Sequence, residues 1–144
     1  MKKFVFTLER VLDWRRLQTQ IAEAELERLS QAHRTIEQQK QLLAEHRQHM
    51  ERELLESQSA TGWELAALEA FQNHTDAERG RLDKMIAAAA QKIQNQKETV
   101  IARRREARLL EHLKEKRLGS WRKESLKETD QLAEDAYLAR WKKK

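Results

Sequence analysis

Three histidines in the first 50 residues are the side chains best spaced for metal chemistry. His46 and His49 are three residues apart, about one turn of a helix, and His33 lies farther up the same predicted helix. Two such side chains can share a metal ion, but no carboxylate-containing motif frames them. We therefore interpret them as exposed histidines of a helix and expect no metal site.

A group of arginines is the part of the sequence best suited to contacting phosphates. Arg103, Arg104 and Arg105 are followed by Arg108. A solvated or partner-facing helix explains this group equally well, because no basic region is joined to a parallel zipper. The sequence also has no glycine-rich phosphate loop and no nucleophile elbow. We expect no catalytic residue, no cofactor and no enzymatic activity.

The composition favours long helices that share a thin core. The 144 residues include no proline, three glycines and no cysteine. Without proline nothing breaks a helix sharply, and without cysteine there are neither disulfides nor thiolate metal sites. Charged residues make up 37% and hydrophobic residues 39%, a balance typical of a coiled coil. No apolar stretch approaches the length of a membrane span or of a signal peptide.

Two rows of residues repeat every seventh position, which is 3.5 residues per turn and predicts helices that wind around a partner. The first row is Leu8, Arg15, Ala22, Leu29, Ile36, Leu43 and Met50. The second row is Leu65, Gln72, Arg79, Ile86, Ile93, Val100, Ala107, Lys114 and Trp121. The sequence thus predicts helix 1 over about residues 7–56 and helix 2 over about residues 63–142, with a turn at residues 57–62.

Candidate caps mark both helix starts. Thr7 can cap helix 1, and Thr61 with Glu64 forms a capping box before helix 2. Thr75 with Glu78 is another possible capping box, so helix 2 either breaks near residues 73–80 or continues through them. We favour continuity, because no proline enforces a break.

A short turn favours an antiparallel pair in which residue i faces about residue 120−i. Under this rule helix 1 supplies no partner for helix 2 beyond about residue 115. Residues from about Lys116 onward are therefore expected to have no partner. The predicted fold is an all-α single domain of residues 1–144. It is a long antiparallel two-helix coiled-coil hairpin with an overhanging C-terminal helix.

The positive charge is concentrated in the last third. Residues 1–100 hold 15 basic and 16 acidic side chains, whereas residues 101–144 hold 14 basic and 8 acidic ones. A solvated helix face explains this excess, and so does an acidic partner surface. A basic coiled coil that binds nucleic acid or a membrane surface is therefore one interpretation of the function.

Three segments resemble the flagellar export protein FliJ family and its injectisome stalk relatives. They are Phe6–Arg16, Ala107–Glu115 and Glu128–Ala136. The resemblance extends to the length and to the two-helix plan. It implies a soluble cytoplasmic component of the flagellar type III protein export apparatus, peripheral at the inner face of the cell membrane through its partners.

The resemblance further implies a central stalk that binds and promotes the hexameric export ATPase. It links that ATPase to the membrane export gate protein, with export chaperones as further partners and no nucleic acid. The expected ATPase-ring contacts are Phe6, Arg10, Trp14, Trp121, Leu132, Tyr137 and Trp141. The expected export-gate contacts are Leu42, His46, His49, Phe71 and His74.

Overall fold

A computed structural model of the chain describes residues 2–57 and 61–143, and these residues form two helices. Helix α1 is Glu9–Glu56 and helix α2 is Gly62–Lys142. No strand occurs in the described ranges, and the two helices pack against each other. The all-helical class is confirmed. The centre of the predicted turn, residues 58–60, lies outside the described residues.

The two predicted helix starts have different outcomes. Thr61 caps α2 as expected, since the Glu64 amide donates a 3.3 Å hydrogen bond to the Thr61 hydroxyl. The cap predicted at Thr7 is wrong, because the first α1 hydrogen bond runs from the Leu12 amide to the Leu8 carbonyl. The Thr7 hydroxyl instead accepts a 3.1 Å hydrogen bond from Arg117. Helix α1 thus begins after Leu8, and Thr7 connects the N-terminal segment to α2.

Helix α2 continues through residues 73–80. Thr75 does not start a new helix there. Its side chain is only 2% exposed, and its hydroxyl donates a 2.9 Å hydrogen bond to the Gln72 carbonyl. A buried hydroxyl needs such a partner, and the preceding turn of the helix supplies one. Thr75 is therefore part of the packed face of α2.

The heptad rows largely coincide with the residues that are buried or half-buried in the structure. In the first row every member is buried or half-buried except Met50. In the second row only Leu65 and Arg79 are exposed. The residues four positions after each member of the first row are also buried or half-buried: Leu12, Thr19, Leu26, His33, Lys40, Arg47 and Leu54. The period of seven therefore identified the packed face, including its polar members.

The chain divides into two compact units, each containing part of both helices. Unit 2 is Ala22–Val100. Within it, Lys40 forms a 2.5 Å ion pair with Asp83, and Arg47 pairs with Asp76. These contacts are antiparallel, with each partner about three positions beyond the expected 120−i. Each helical side chain leans toward the N-terminus of its own helix, so two leaning side chains meet about two positions later.

Unit 1 comprises residues 1–21 and 101–144. Its cross-helix pairs follow the same order, for example Arg15 with Glu106 at 2.6 Å and Glu9 with Lys114 at 2.8 Å. The prediction that residues from Lys116 onward have no partner is wrong at its start, since Arg117 and Trp121 both contact the N-terminal segment. That segment, residues 2–8, is not helical but still packs on α2. Residues 126–143 are all exposed.

Truncating the most deeply buried leucine tests this packing. Leu12 is fully buried, so Leu12→Ala should lower the free energy of unfolding by about 2–3 kcal/mol, the lower part of the range for core leucines. Urea unfolding followed by circular dichroism measures the change. Leu17→Ala is the matched control, because Leu17 lies on the same helix and is half exposed. Equal small effects of both substitutions would show that Leu12 is not in the core.

Candidate partner-binding surfaces

The N-terminal segment of unit 1 packs on the part of α2 that carries Trp121. The indole nitrogen of Trp121 donates a 3.2 Å hydrogen bond to the Lys2 carbonyl. The Trp121 ring lies 6.0 Å from the Phe4 ring, centroid to centroid, in a tilted arrangement. Trp121 was expected to contact the ATPase ring. In this structure it is half-buried and contacts Lys2 and Phe4 of the N-terminal segment.

Phe6, another expected ring contact, is only 6% exposed. The Arg117 guanidinium lies over its ring at 5.6 Å, and the same guanidinium donates to Thr7. The cation–π contact and the hydrogen bond together fix residues 6 and 7 against α2. Phe6 therefore offers little of its own surface to a partner.

The other five expected ring contacts are exposed, in two places. Arg10 and Trp14 lie on the first turns of α1, where the Arg15 guanidinium stands 4.8 Å from the Trp14 ring. Leu132, Tyr137 and Trp141 lie on the last turns of α2, and Trp141 is 72% exposed. Exposed aromatic side chains of this size are the kind that anchor protein interfaces. Unit 1 thus contains all seven residues expected to contact the ATPase ring. Two of them are packed within the unit, and five are exposed.

Unit 1 also carries the positive charge of the chain. Residues 1–21 hold five basic and two acidic side chains, in addition to the excess in residues 101–144. Residues 22–100 hold 10 basic and 14 acidic side chains. The two units therefore have net charges of opposite sign. An acidic partner surface would therefore be attracted to unit 1, and the same surface would be repelled by unit 2.

The expected gate contacts all lie in unit 2, where one helical face presents three of them. Leu42, His46 and His49 follow the spacing i, i+4, i+7, which places them on one side of α1. Leu42 and the two histidines are exposed. The His46 and Phe71 rings meet across the helix pair in a T-shaped arrangement, with centroids 5.5 Å apart. The structure therefore brings Leu42, His46, His49 and Phe71 to a common surface.

Two of these histidines have acidic neighbours. The imidazole of His49 lies 3.1 Å from a Glu53 oxygen. His74 is exposed and is one of the side chains that influence the pKa of Glu78. The pKa of Glu78 lies below its ordinary value. The hydrogen bonds from Arg81 are the main cause of that lowering, and the charge of Arg81 and the neighbouring His74 side chain add smaller electrostatic contributions. Within the described residues no group of three His, Cys, Asp or Glu side chains is arranged to hold a metal ion.

A polar network in unit 2 also joins the two helices. Arg47 donates to Glu51 at 3.0 Å and also pairs with Asp76. Gln72 donates to the same Glu51 oxygen at 2.9 Å. Sequence reasoning did not find this network. The i, i+4 spacing of Arg47 and Glu51 was the available signal, whereas Gln72 and Asp76 required knowledge of the register.

This network lowers the pKa of the Glu51 carboxyl below its ordinary value. The hydrogen bond from Gln72 is the largest cause, followed by that from Arg47. The pKa of Arg47 is correspondingly raised, first by Glu51 and then by Asp76. An open groove of about 710 Å³ lies beside the network, lined by residues of both helices.

Comparisons with known proteins identify no relative of this chain. No family model, no curated protein and no solved structure matches this chain. Among the described residues, no helix has the length and apolar character needed to cross a membrane. The family resemblance is therefore carried by the three sequence segments alone.

The Glu51 network gives a pH-dependent prediction. A carboxyl with a lowered pKa stabilises the fold above its ordinary pKa near 4.5, and this contribution is lost as the pH falls through the lowered value. Glu51→Gln should therefore lower the thermal midpoint at about pH 7, and the difference from wild type should shrink as the pH falls below the ordinary pKa near 4.5. Circular dichroism melts across this range measure it. Glu69→Gln, at an exposed position of α2, is the control. A constant difference at every pH would contradict a role for the ionised carboxylate.

Proposed function

We propose that this chain is a stalk and adaptor of a flagellar-type protein export apparatus, as its resemblance to the FliJ family implies. In this proposal it is a long antiparallel coiled-coil hairpin whose C-terminal helix extends beyond the paired region. It binds and promotes the hexameric export ATPase and links it to the membrane export gate protein, with export chaperones as further partners. It acts in the cytoplasm, peripheral to the membrane through these partners.

The observation that carries the ATPase proposal is the exposed end of α2 in unit 1. Residues 126–143 are fully helical up to Lys142 and exposed throughout. A long helix that buries none of its own surface keeps little stability alone, so a partner that encloses it would gain both apolar and polar contacts. Leu132, Tyr137 and Trp141 supply large apolar side chains for such a partner.

The charge of unit 1 supports the same assignment. A basic end attracts an acidic channel wall and speeds docking, while the aromatic anchors determine how long the complex lasts. Lys142 and Lys143, exposed at the end of the helix, act as peripheral charges of small individual weight. Arg10 and Trp14 are the exposed residues of α1 available to the same partner.

The face of Leu42, His46 and His49 is the candidate gate surface. It is exposed, it lies in the unit with the opposite net charge, and it has an aromatic ring, Phe71, packed at its edge. Two different partners can thus be recognised by two chemically different surfaces of one chain. His74 lies on α2 three residues after Phe71 and is exposed.

A second candidate function is favoured by the arginine-rich groove of unit 1. Arg16, Arg104 and Arg108 line a groove of about 330 Å³, and guanidinium groups bind phosphates well. A chain that binds nucleic acid or a membrane surface through this groove would lose roughly 10³-fold or more in affinity between 50 and 200 mM salt. Binding to the ATPase through Tyr137 and Trp141 should be much less sensitive to salt.

A truncated chain tests the ATPase proposal. A chain ending at Glu124 keeps the contacts of Trp121 with Phe4 and Lys2 but lacks the exposed end of α2. It should keep its helical circular dichroism per residue. Its binding to the export ATPase should weaken by about tenfold or more, because aromatic anchors contribute most of the binding energy of an interface. Full stimulation of the ATPase by the truncated chain would show that this end does not enter the ring.

The matched control alters the other surface. Leu42→Ala combined with His49→Ala removes two exposed side chains of unit 2 and leaves unit 1 unchanged. This variant should stimulate the ATPase like wild type and bind the export gate protein less tightly. Loss of ATPase stimulation in this variant would contradict the assignment of the two surfaces.

A further inference from the structure

One side of α2 in unit 1 carries a line of exposed residues that face away from α1. Arg105 and Leu109 are each two positions from the buried Ala107, which is roughly 200° around the helix. The other members follow at intervals of three or four residues, so they share this side. The line, which we call the outer stripe, consists of Ile101, Arg105, Leu109, His112, Lys116, Ser120, Lys123 and Lys127, all exposed.

The outer stripe is basic. None of its members is acidic. Glu115, at its edge, lies 3.8 Å from the His112 imidazole. The next residue along the same line is Asp130, so the basic stripe ends before it. The four positively charged members are Arg105, Lys116, Lys123 and Lys127.

The basic side chains of this part of α2 differ according to the side they occupy. On the side of α1, Lys114 lies 2.8 Å from Glu9, and Arg117 donates a 3.1 Å hydrogen bond to Thr7. Among the described residues, the four basic side chains of the outer stripe take part in no ion pair and no hydrogen bond. Their charges are therefore available to a partner.

The apolar members of the outer stripe favour a lipid surface over another helix as that partner. Ile101 and Leu109 are 54% and 65% exposed. They are eight positions apart, whereas a partner helix packs on apolar residues that recur every three or four positions. A bilayer surface requires no such repeat. The basic groups stay at the lipid headgroups, while their aliphatic stems and the two aliphatic side chains reach below them.

A nucleic acid fits the outer stripe less well than an anionic bilayer. Proteins that follow a single strand combine basic side chains with aromatic ones on which bases stack. The stripe contains no Phe, Tyr or Trp, and the nearby Trp121 is already in contact with Lys2 and Phe4. Basic and aliphatic side chains on one face are instead typical of helices that lie on membrane surfaces.

We propose that the outer stripe binds directly to anionic lipid headgroups, so that α2 of unit 1 lies along the membrane surface with α1 on its far side. The contact needs none of the proposed protein partners, and it uses no residue that lines the arginine-rich groove. Each basic residue near an anionic surface strengthens binding about fivefold. The four basic residues together give a preference for anionic over neutral bilayers of roughly several hundred-fold.

Vesicle binding by the full-length chain tests this proposal. Vesicles in which about one-third of the lipid is phosphatidylglycerol should carry the chain with them in sedimentation, and vesicles of phosphatidylcholine alone should not. Lys116→Gln with Lys123→Gln should weaken binding to the anionic vesicles roughly 25-fold, about fivefold for each charge removed. Absence of binding to the anionic vesicles would overturn the proposal.

The matched control makes the same charge change on α2 outside unit 1. Lys92→Gln with Lys97→Gln alters two exposed lysines of unit 2 and should bind like wild type. Glutamine is a good helix former, so both pairs of substitutions should keep the wild-type helical circular dichroism. Equal weakening by the two pairs would mean that net charge alone, and not the outer stripe, determines binding.

A fluorophore shows which side of unit 1 contacts the lipid. The sequence has no cysteine, so Leu109→Cys gives a single site for an environment-sensitive dye. Its emission should shift to shorter wavelength on anionic vesicles. Leu17 lies two positions after Arg15, which pairs with α2, so a dye at Leu17→Cys is on the side of α1 away from α2 and should not shift. A shift at Leu17 and none at Leu109 would overturn the proposed orientation.

Salt and competition distinguish lipid from the other partners. Because the basic groups are exposed, about 0.5 M salt should weaken vesicle binding at least tenfold, and binding that salt leaves unchanged would contradict a charge-based contact. Duplex DNA should compete at least tenfold less well than anionic vesicles of equal phosphate content, since the aliphatic side chains contribute only at a bilayer. Stronger competition by DNA would assign the outer stripe to nucleic acid and overturn the proposal.

Discussion

The packing of α1 against α2 along one face of each helix is the interaction on which the rest of the structure depends. Two helices bury only one strip of side chains each, so the core is thin. Among the described residues the buried apolar side chains are few, namely Phe6, Leu12, Ala22, Leu82, Val100 and Ala107. Since apolar burial is the dominant favourable term in folding, each of these positions carries a large share of the stability.

A thin core tolerates polar side chains that a thicker one would exclude. Arg47 and Lys40 occupy the packed face, yet their charged groups reach its edge and pair with carboxylates of the other helix. Such half-exposed pairs contribute little net stability, but they are satisfied in one register and not in others. They therefore help to define which residues face each other. The same edges are the places where partners can bind.

The periodicity of the sequence was sufficient to predict the packed face, and the absence of proline was sufficient to predict a continuous α2. The cap at Thr61 could also be predicted, since its capping box is a local signal. The N-terminal segment could not, because residues 2–8 pack without helical periodicity. Phe6 and Trp121 were consequently interpreted as partner contacts, whereas in the structure they pack within unit 1.

Contacts between distant residues were the least predictable part of the candidate surfaces. The pairing of His46 with Phe71 and of Gln72 with Glu51 depends on a register that shifts by about three residues from the simplest rule. Side-chain lean explains most of that shift, but only once both helices are placed. The exposed end of α2 could be predicted from the sequence, because the predicted second helix is much longer than the first. Its starting point depended on the N-terminal segment.

In this structure the two helices of one chain pair with each other in antiparallel order. Spin labels at Ser30 and Gln91, both in unit 2, measure this directly by their distance within one molecule. Antiparallel pairing predicts a short distance of roughly 10–25 Å, from neighbouring helix axes, that is unchanged by dilution with unlabelled chain. A parallel dimer would instead give a long distance within each chain, together with short distances between chains that disappear on dilution. That result would contradict antiparallel pairing within one chain.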